Sequence, residues 1–230
     1  MDPVAALALW AILFVGTHLI ISSSAVRPRL IGLIGDIAYR GVYSVVAFAT
    51  LIPLIIVFAR NKHAGAMLWN LRGVGAVRGL AWILMLTALI FFVASFVNPN
   101  PASIGAPTGT SSPHGILKIT RHPNFVALIL FGFAHILMNG WAGDVIFFGT
   151  FPVLGIAGGM HQDSRKLSEV GESYERFLAE TSFVPGAAIL SGRQRWSGED
   201  VPWAAIGIGA LATVLLVALH PYIFGGHPMG

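Results

Sequence analysis

The stretch VAALALWAILFVGTHLIIS (residues 4–22) contains no Asp, Glu, Lys or Arg, and it decides the fold class. A bilayer core about 30 Å thick needs roughly 20 mostly apolar residues per crossing helix, so this stretch predicts a transmembrane helix. Similar stretches follow at about 41–59, 79–97, 124–140, 144–160 and 203–221. The sequence therefore predicts an all-α, polytopic integral membrane helical bundle, with about six transmembrane helices in a single membrane domain over residues 1–230.

The overall composition excludes most other classes of protein. Hydrophobic residues make up 55% of the 230-residue chain and charged residues only 10%, whereas an average soluble domain carries about 25% charged residues. A soluble globule of this composition would expose a large apolar patch. The chain has no Cys, which excludes disulfides, Cys-ligated zinc, iron–sulfur clusters and Cys nucleophiles. We expect the lipid bilayer as a partner and no nucleic acid, because the net charge of +4 is small.

Lys and Arg are concentrated in loops that would share one side of the membrane. The loops at 23–40, 98–123 and 161–202 carry ten of these residues, and the segments on the other side carry four. By the positive-inside rule, the three richer loops face the cytoplasm. In a bacterium this predicts a multi-pass protein of the inner membrane with both termini in the periplasm. The first span follows Met-Asp-Pro, without a positive residue, so we expect a retained helix rather than a cleaved signal peptide.

Two segments between the spans have compositions of their own. Residues 98–113 are rich in Pro, Gly, Ser and Thr, which predicts an irregular loop. Residues 161–200 form a cytoplasmic segment between spans five and six, and the spacing of apolar residues in 161–182 predicts a short amphipathic helix there. We expect this helix to begin at Asp163 and Arg165, because an acid in the first turn interacts favourably with the helix dipole.

Histidine is the main source of chemistry in this chain. His18 and His135 each lie within an apolar span, and an ionisable residue at membrane depth is a candidate functional residue because burying it unpaired is costly. Counting 1.5 Å per residue from the ends of the spans puts both within roughly 6 Å of the bilayer midplane. Two imidazoles at similar depth on different helices could hold a haem iron from opposite faces. The alternative is two unrelated histidines, each bonded to a backbone carbonyl or a hydroxyl.

The run Arg121-His122-Pro123 stands where the fourth span begins. Pro is ordinary at a helix start. Arg121 could clamp a haem propionate or a phosphate through two parallel hydrogen bonds, or it could extend to lipid phosphates. The candidate cofactor-binding residues are therefore His18, His135, Arg121 and His122, with the first two as ligands of haem iron. The pair His220-Pro221 is interpreted as a helix stop at the membrane interface, and no known catalytic motif is present.

Several motifs, in matching order, resemble the NnrU family of membrane proteins. They are GTHLIISSSAVRPRLIGLIGDIAYRGVYSVVA (16–47), PNPASIG (99–105), GILKITRHP (115–123), GFAHILMNG (132–140), TSFVPGAAILSGRQR (181–195) and LHPYIFG (219–225). The resemblance spans nearly the whole chain, and an ordered set of motifs is far more specific than any one of them.

The resemblance implies one of two kinds of chemistry. Bacterial members of the family are associated with nitrite and nitric oxide reduction in denitrification. The family also includes a plastid 15-cis-zeta-carotene isomerase that holds haem b, whose haem-ligand histidines correspond by motif to His18 and His135. The resemblance therefore implies a haem b-binding membrane protein associated with denitrification. The alternative that it implies is a haem-dependent cis–trans isomerase of a carotenoid, acting on a hydrophobic small molecule.

Two further functions stay open on the sequence alone. The run Arg121-His122-Pro123 and the later element GESYERF (171–177) resemble membrane methyltransferases that use S-adenosylmethionine. That function would need Arg121, His122 and Glu172. The chain could also be a non-catalytic assembly partner of a respiratory complex, with its histidines merely packed. Whether the protein is an enzyme is therefore undecided at this point.

Overall fold

The computed structural model describes residues 1–97, 100–102 and 112–226. This part of the chain forms ten α-helices: α1 (Pro3–Ile21), α2 (Arg27–Ile34), α3 (Asp36–Arg60), α4 (Gly75–Val97), α5 (Ile116–Ile119), α6 (Pro123–Met138), α7 (Ala142–Val170), α8 (Glu172–Glu180), α9 (Ala187–Leu190) and α10 (Trp203–Phe224). A 3₁₀ helix at Gly198–Asp200 precedes α10. The predicted all-α helical bundle is confirmed. The loop predicted at 98–113 lies largely outside the described residues.

Within the described ranges, five helices are long and apolar enough to cross a membrane: α1, α3, α4, α7 and α10. The predicted fourth span corresponds to α6, which has only 16 residues, or about 24 Å at 1.5 Å per residue. Of its side chains, only Asn124 and Phe133 are exposed. The six predicted spans are therefore five long helices and one shorter apolar helix that the others largely enclose.

The long helices and α6 pack as a row in the order α10, α4, α6, α7, α1 and α3. The helices α6 and α7 form the centre of this row, and the outer helices carry apolar side chains on their surfaces. Ile12 of α1, Phe48 of α3 and Val214 of α10 are 70%, 59% and 65% exposed. Large exposed apolar surfaces of this kind mark contact with a membrane. The protein is therefore a multi-pass membrane protein.

Glycine allows α6 and α7 to approach each other closely. A Cβ added at Gly132 would lie 2.3 Å from Pro152 Cδ and 2.6 Å from the carbonyl oxygen of Phe148. A Cβ added at Gly155 would lie 2.9 Å from the carbonyl oxygen of Phe125. Small residues are used in this way in membranes, where apolar burial does not drive helices together. The α6–α7 seam thus depends on positions that hold no side chain.

The two ends of the bundle differ. The end of α1, the start of α6 and residues 161–200 lie together at one end, which we call the loop-rich end. At the opposite end, the 61–74 loop bonds to the turn between α6 and α7: Trp69 Nε1 donates to the carbonyl of Ile136 at 3.1 Å, and Arg72 Nη2 donates to Asn139 Oδ1 at 2.6 Å. The grouping of loops at two ends follows the sequence prediction. Their assignment to cytoplasm and periplasm stays a prediction.

The course of α7 differs from the sequence prediction. The sequence predicts a span that ends near residue 160, but α7 continues without a break to Val170. Asp163 and Arg165 therefore lie well inside a helix, and their predicted place in a first turn is wrong. The amphipathic helix is α8, which follows Gly171 and buries Tyr174 and Phe177. Gly171 has a φ of +73°, a left-handed conformation that ends α7 and that glycine adopts readily.

The end of α10 also differs. The predicted helix stop at His220-Pro221 comes three residues too early, because α10 continues to Phe224. Proline inside a helix removes one backbone donor. The helix nevertheless adds one more turn and ends at Gly225, which has a φ of +70°.

Hydrogen bonds to Asp200 connect the segment before α10 to α5. Its carboxylate accepts hydrogen bonds from Lys118 Nζ at 2.9 Å, from Ser197 Oγ at 2.8 Å and from the backbone N–H of Gly115 at 3.3 Å. Burial alone would raise the pKa of Asp200, but these hydrogen bonds outweigh it and hold the pKa at about 2, below its ordinary value of 3.8.

We expect Gly132→Ala to lower the thermal unfolding midpoint of the protein in detergent. The added Cβ would overlap the ring of Pro152, which cannot rotate away, and overpacking typically costs about 1–3 kcal/mol. Circular dichroism during heating measures the change. Gly207→Ala on α10 is the matched control, because a Cβ there meets no atom within 4 Å. Equal midpoints for the two variants would contradict this description of the α6–α7 seam.

We also expect a pH-dependent effect of Asp200→Asn. The pKa of Asp200 is lower in the folded protein than in the unfolded chain, so its stabilising contribution is complete above about pH 4 and is lost as the pH falls towards 2. The variant should unfold at a lower temperature than wild type at pH 6, and the difference should shrink in acid. Glu199→Gln, at the exposed neighbouring position, is the control. A difference that stays constant from pH 6 to pH 3 would argue against the role of this carboxylate.

Candidate functional site

The Asp163 carboxylate joins three segments at the loop-rich end. Arg121 donates to Oδ2 through Nε at 2.8 Å and lies with Nη2 at 2.7 Å from the same oxygen. His122 Nε2 and the Tyr174 hydroxyl each lie 2.7 Å from Oδ1. Burial and the neighbouring carboxylate raise the pKa of Tyr174 above its ordinary value of 10, so the phenol stays protonated and donates. Both carboxylate oxygens are satisfied, which makes a carboxylate tolerable inside α7.

Backbone hydrogen bonds hold two distant segments side by side. The N–H of Arg121 donates to the carbonyl of Ser182 at 3.0 Å, and the N–H of Gly186 donates to the carbonyl of Ile119 at 2.8 Å. Between them, the Thr120 hydroxyl donates to the carbonyl of Phe183 at 2.7 Å. The motif at 115–123 and the motif at 181–195 therefore pack side by side at the loop-rich end.

A cavity of about 360 Å³ lies beside the Asp163 cluster, between α1, α3, α4, α6 and α7. Apolar and aromatic side chains share its walls with imidazoles and amides. Its lining residues are His18, Leu19, Ser22, Tyr43, Ser95, Phe96, Asn100, His122, Pro123, Asn124, Phe125, Leu154, Gly158, His161, Gln162 and Arg165. Most of the lining side chains are polar, and a concave site in which several polar groups converge is a candidate small-molecule site.

His18 lines this cavity from α1. Its Nδ1 lies 2.8 Å from the carbonyl oxygen of Phe14, which leaves Nε2 as the ring nitrogen available to a ligand. The ring also packs edge-on against Phe14 and Tyr43, with centroid distances of 4.4 and 5.4 Å. Histidines that ligate metals are commonly oriented by such a bond from the other ring nitrogen. His18 is therefore a residue that could hold the iron of a haem, if one were bound in this cavity.

His135 does not lie in this cavity. It is thirteen residues after His122, about 20 Å further along the chain of α6, and it stands three residues before α6 ends. Its ring stacks on Phe148 with a centroid distance of 4.4 Å. Its Nδ1 lies 2.9 Å from the carbonyl oxygen of Phe131. The residues of the cavity therefore include one histidine that could hold a haem iron, His18, and do not include His135.

Arg121 and His122 are both bonded to Asp163 of the same chain. The guanidinium of Arg121 is bonded to Asp163, and Arg121 is not a lining residue of the cavity. His122 lines the cavity and is 3% exposed, with its Nε2 bonded to Asp163. Glu172, which a methyltransferase function would need, is exposed at the start of α8 and does not line the cavity.

Sequence reasoning missed most of the cavity residues, among them Tyr43, His161 and the cavity-facing position of Arg165. On α7, Gly158, His161 and Arg165 follow each other at spacings of three and four residues, which puts them on one helix face. Continuing that spacing past the apparent end of the span at residue 160 could have found His161 and Arg165. Tyr43 lies within the motif at 16–47, but the motif alone did not indicate that this side chain lines a cavity.

Comparisons with known proteins agree on one family. A family profile described as NnrU protein matches residues 6–228. The chloroplastic 15-cis-zeta-carotene isomerase of Arabidopsis thaliana is 30% identical over 218 residues, which cover 90% of this chain and 58% of that protein. Its counterpart in Zea mays is 28% identical over 167 residues, which cover 71% of this chain and 45% of that protein. The chain thus spans about half the length of these curated relatives. No solved structure matches the chain.

We expect Asp163→Asn to destabilise the loop-rich end. The change removes the charge that pairs with Arg121, and the two side chains are 15% and 13% exposed. We therefore expect a cost of about 3 kcal/mol, at the lower end of the range for a buried ion pair. Limited proteolysis of residues 161–200 and the thermal unfolding midpoint both report the effect.

Two further variants control this experiment. Glu175→Gln removes an exposed acid from α8 and should leave both readouts unchanged. Tyr174→Phe removes one hydrogen bond from Asp163, worth about 1 kcal/mol, and it gives a milder test if Asp163→Asn does not fold. Wild-type proteolysis and midpoints in both Asp163→Asn and Tyr174→Phe would rule out the organising role of Asp163.

Proposed function

Because the chain belongs to the NnrU family, we propose that it is a membrane isomerase that converts a cis double bond of a carotenoid-like polyene to the trans form. The observation that carries the proposal is the similarity to two proteins named 15-cis-zeta-carotene isomerase, which extends over 90% and 71% of this chain. The matched regions are 58% and 45% of those relatives.

The cavity supports this proposal by its position and its walls. It lies among helices whose outer surfaces are apolar, so a hydrophobic substrate dissolved in lipid has a short route to it. Phe96, Phe125 and Leu154 supply apolar contacts, and His18 and Tyr43 supply polar groups. A volume of about 360 Å³ suits a section of a long polyene around one double bond.

We propose haem b as the cofactor, with His18 as a ligand. Haem iron would supply a redox-active centre beside the substrate when bound. The residues of this chain orient the ligand: the carbonyl of Phe14 holds His18 Nδ1, and the Tyr43 ring packs against the imidazole. His135 as a second ligand stays a prediction.

The association with nitrite and nitric oxide reduction also stays a prediction. The matched relatives are named for isomerisation of 15-cis-zeta-carotene, so their names favour the isomerase alternative over denitrification. The methyltransferase and assembly-partner functions likewise stay predictions. We keep a bacterial inner membrane with both termini in the periplasm as the proposed location.

Expression in bacteria that accumulate 15-cis-zeta-carotene tests the proposal. Cells are kept in the dark, because light alone isomerises polyenes, and the extracted pigments are separated by chromatography. We expect wild-type protein to convert the 15-cis isomer. His18→Ala should reduce the conversion by at least about tenfold, as loss of a metal-site residue commonly does, and it should weaken any haem absorption band of the purified protein.

His114→Ala is the matched control for this experiment, because His114 is exposed and does not line the cavity. It should convert the pigment as wild type does. An unchanged 15-cis isomer in cells whose membranes contain the wild-type protein would overturn the isomerase proposal. Conversion by His18→Ala at the wild-type rate would overturn the assignment of His18.

A further inference from the structure

Arg165 brings an incompletely paired cation to the wall of the cavity. Its side chain is 7% exposed, it lines the cavity, and its buried Nε has no hydrogen-bond partner in the described part of the chain. Its Nη1 lies 3.6 Å from Glu169 Oε1. That oxygen is already held at 2.6 Å by Nη1 of Arg27. The carboxylate of Glu169 is therefore shared, and its closer bond is to the other arginine.

The surroundings of Arg165 carry an excess of positive charge. Arg27 and the buried Lys166 both interact electrostatically with this region of α7. Asp163 is saturated by its own donors. The described residues that line the cavity include no Asp or Glu. The sequences of 98–99 and 103–111 contain none either, so those segments cannot supply a counter-charge.

An arginine in this situation is a binding group for an anion. Buried charges in proteins are paired or hydrogen-bonded, because leaving them unpaired is costly. The planar guanidinium matches the two oxygens of a carboxylate or phosphate, and such charge-assisted bonds are the strong ones. Asn100, His161 and Gln162 line the same cavity and offer further polar groups.

We propose that the cavity binds the acidic end group of an amphiphilic molecule, a carboxylate or a phosphate, through Arg165. The inference goes beyond the isomerase function, because carotenes are hydrocarbons and carry no such group. The bound acid therefore belongs to a second molecule. It is either a porphyrin carboxylate, which rests on the haem proposed above, or the phosphate of a membrane lipid.

The porphyrin source is tested by titrating the full-length protein in detergent with haemin and with haemin dimethyl ester, followed by absorption spectroscopy. We expect Arg165→Gln to weaken haemin binding by at least about tenfold, the loss expected for a charge-assisted hydrogen bond. Haemin dimethyl ester has no free carboxylate, so it should bind wild type and Arg165→Gln equally. Arg176→Gln is the matched control, because Arg176 is exposed on α8 and does not line the cavity.

The lipid source is tested by adding phosphatidic acid or diacylglycerol to the same proteins and measuring the bound lipid by native mass spectrometry. A loss of phosphatidic acid in Arg165→Gln, with diacylglycerol unchanged, supports a lipid phosphate. Arg165→Lys keeps the positive charge but lacks the planar guanidinium group, so it should bind the acidic probes with intermediate affinity. It also provides a second variant if Arg165→Gln does not fold.

The outcomes separate this inference from the isomerase proposal. Weaker binding of either acidic probe to Arg165→Gln than to Arg176→Gln supports the anion site and names its source. Equal binding of both probes to the two variants, or binding of neither probe to wild type, overturns the inference. If wild-type protein converts 15-cis-zeta-carotene but binds neither probe, only the anion site is overturned. If it binds an acidic probe through Arg165 but does not convert the carotene, only the isomerase proposal is overturned.

Discussion

The contact between Asp163 and the pair Arg121-His122 organises the functional end of the molecule. A carboxylate inside a long helix is unfavourable unless donors surround it, and here Tyr174 completes the set. Arg121 and His122 stand directly before α6, so this contact also determines where α6 begins. The cavity wall made by 122–125 follows from that position.

Two charged residues two positions apart on α7 have opposite surroundings. Asp163 is fully bonded by residues of the chain itself, and that makes it a structural residue. Arg165 is buried with an unpartnered Nε beside a cavity whose described lining has no acid. On the same helix, the Asp163 carboxylate is bonded within the chain, whereas the guanidinium of Arg165 has a nitrogen available to a ligand. His18 approaches the same cavity from α1, with its orientation set by the carbonyl of Phe14.

Most of the bundle could be predicted because the bilayer imposes a length and a composition on each crossing helix. The runs at 4–22 and 203–221 agree closely with α1 and α10. The continuation of α7 past residue 160 could not be predicted in this way, because the apolar span stops before the acid Asp163. Asp163 is tolerated inside α7 because Arg121 and His122, about forty residues away in the chain, bond to its carboxylate. The absence of His135 from the cavity lining could not be predicted either, because it depends on how α1 and α6 pack in the folded chain. The motifs identified the family, but only the folded chain shows that 119–121 pairs with 182–186.

The central claim is that the cavity lined by His18, Tyr43 and Arg165 holds the substrate. The chain has no natural Cys, so Ser22→Cys places a single thiol in the cavity wall, and Ser164→Cys places one at an exposed position of α7. The direct measurement is the rate of maleimide labelling with and without 15-cis-zeta-carotene. The account predicts that the polyene slows labelling of Ser22→Cys and leaves Ser164→Cys unaffected. Labelling of Ser22→Cys at the same rate with and without saturating polyene would contradict it.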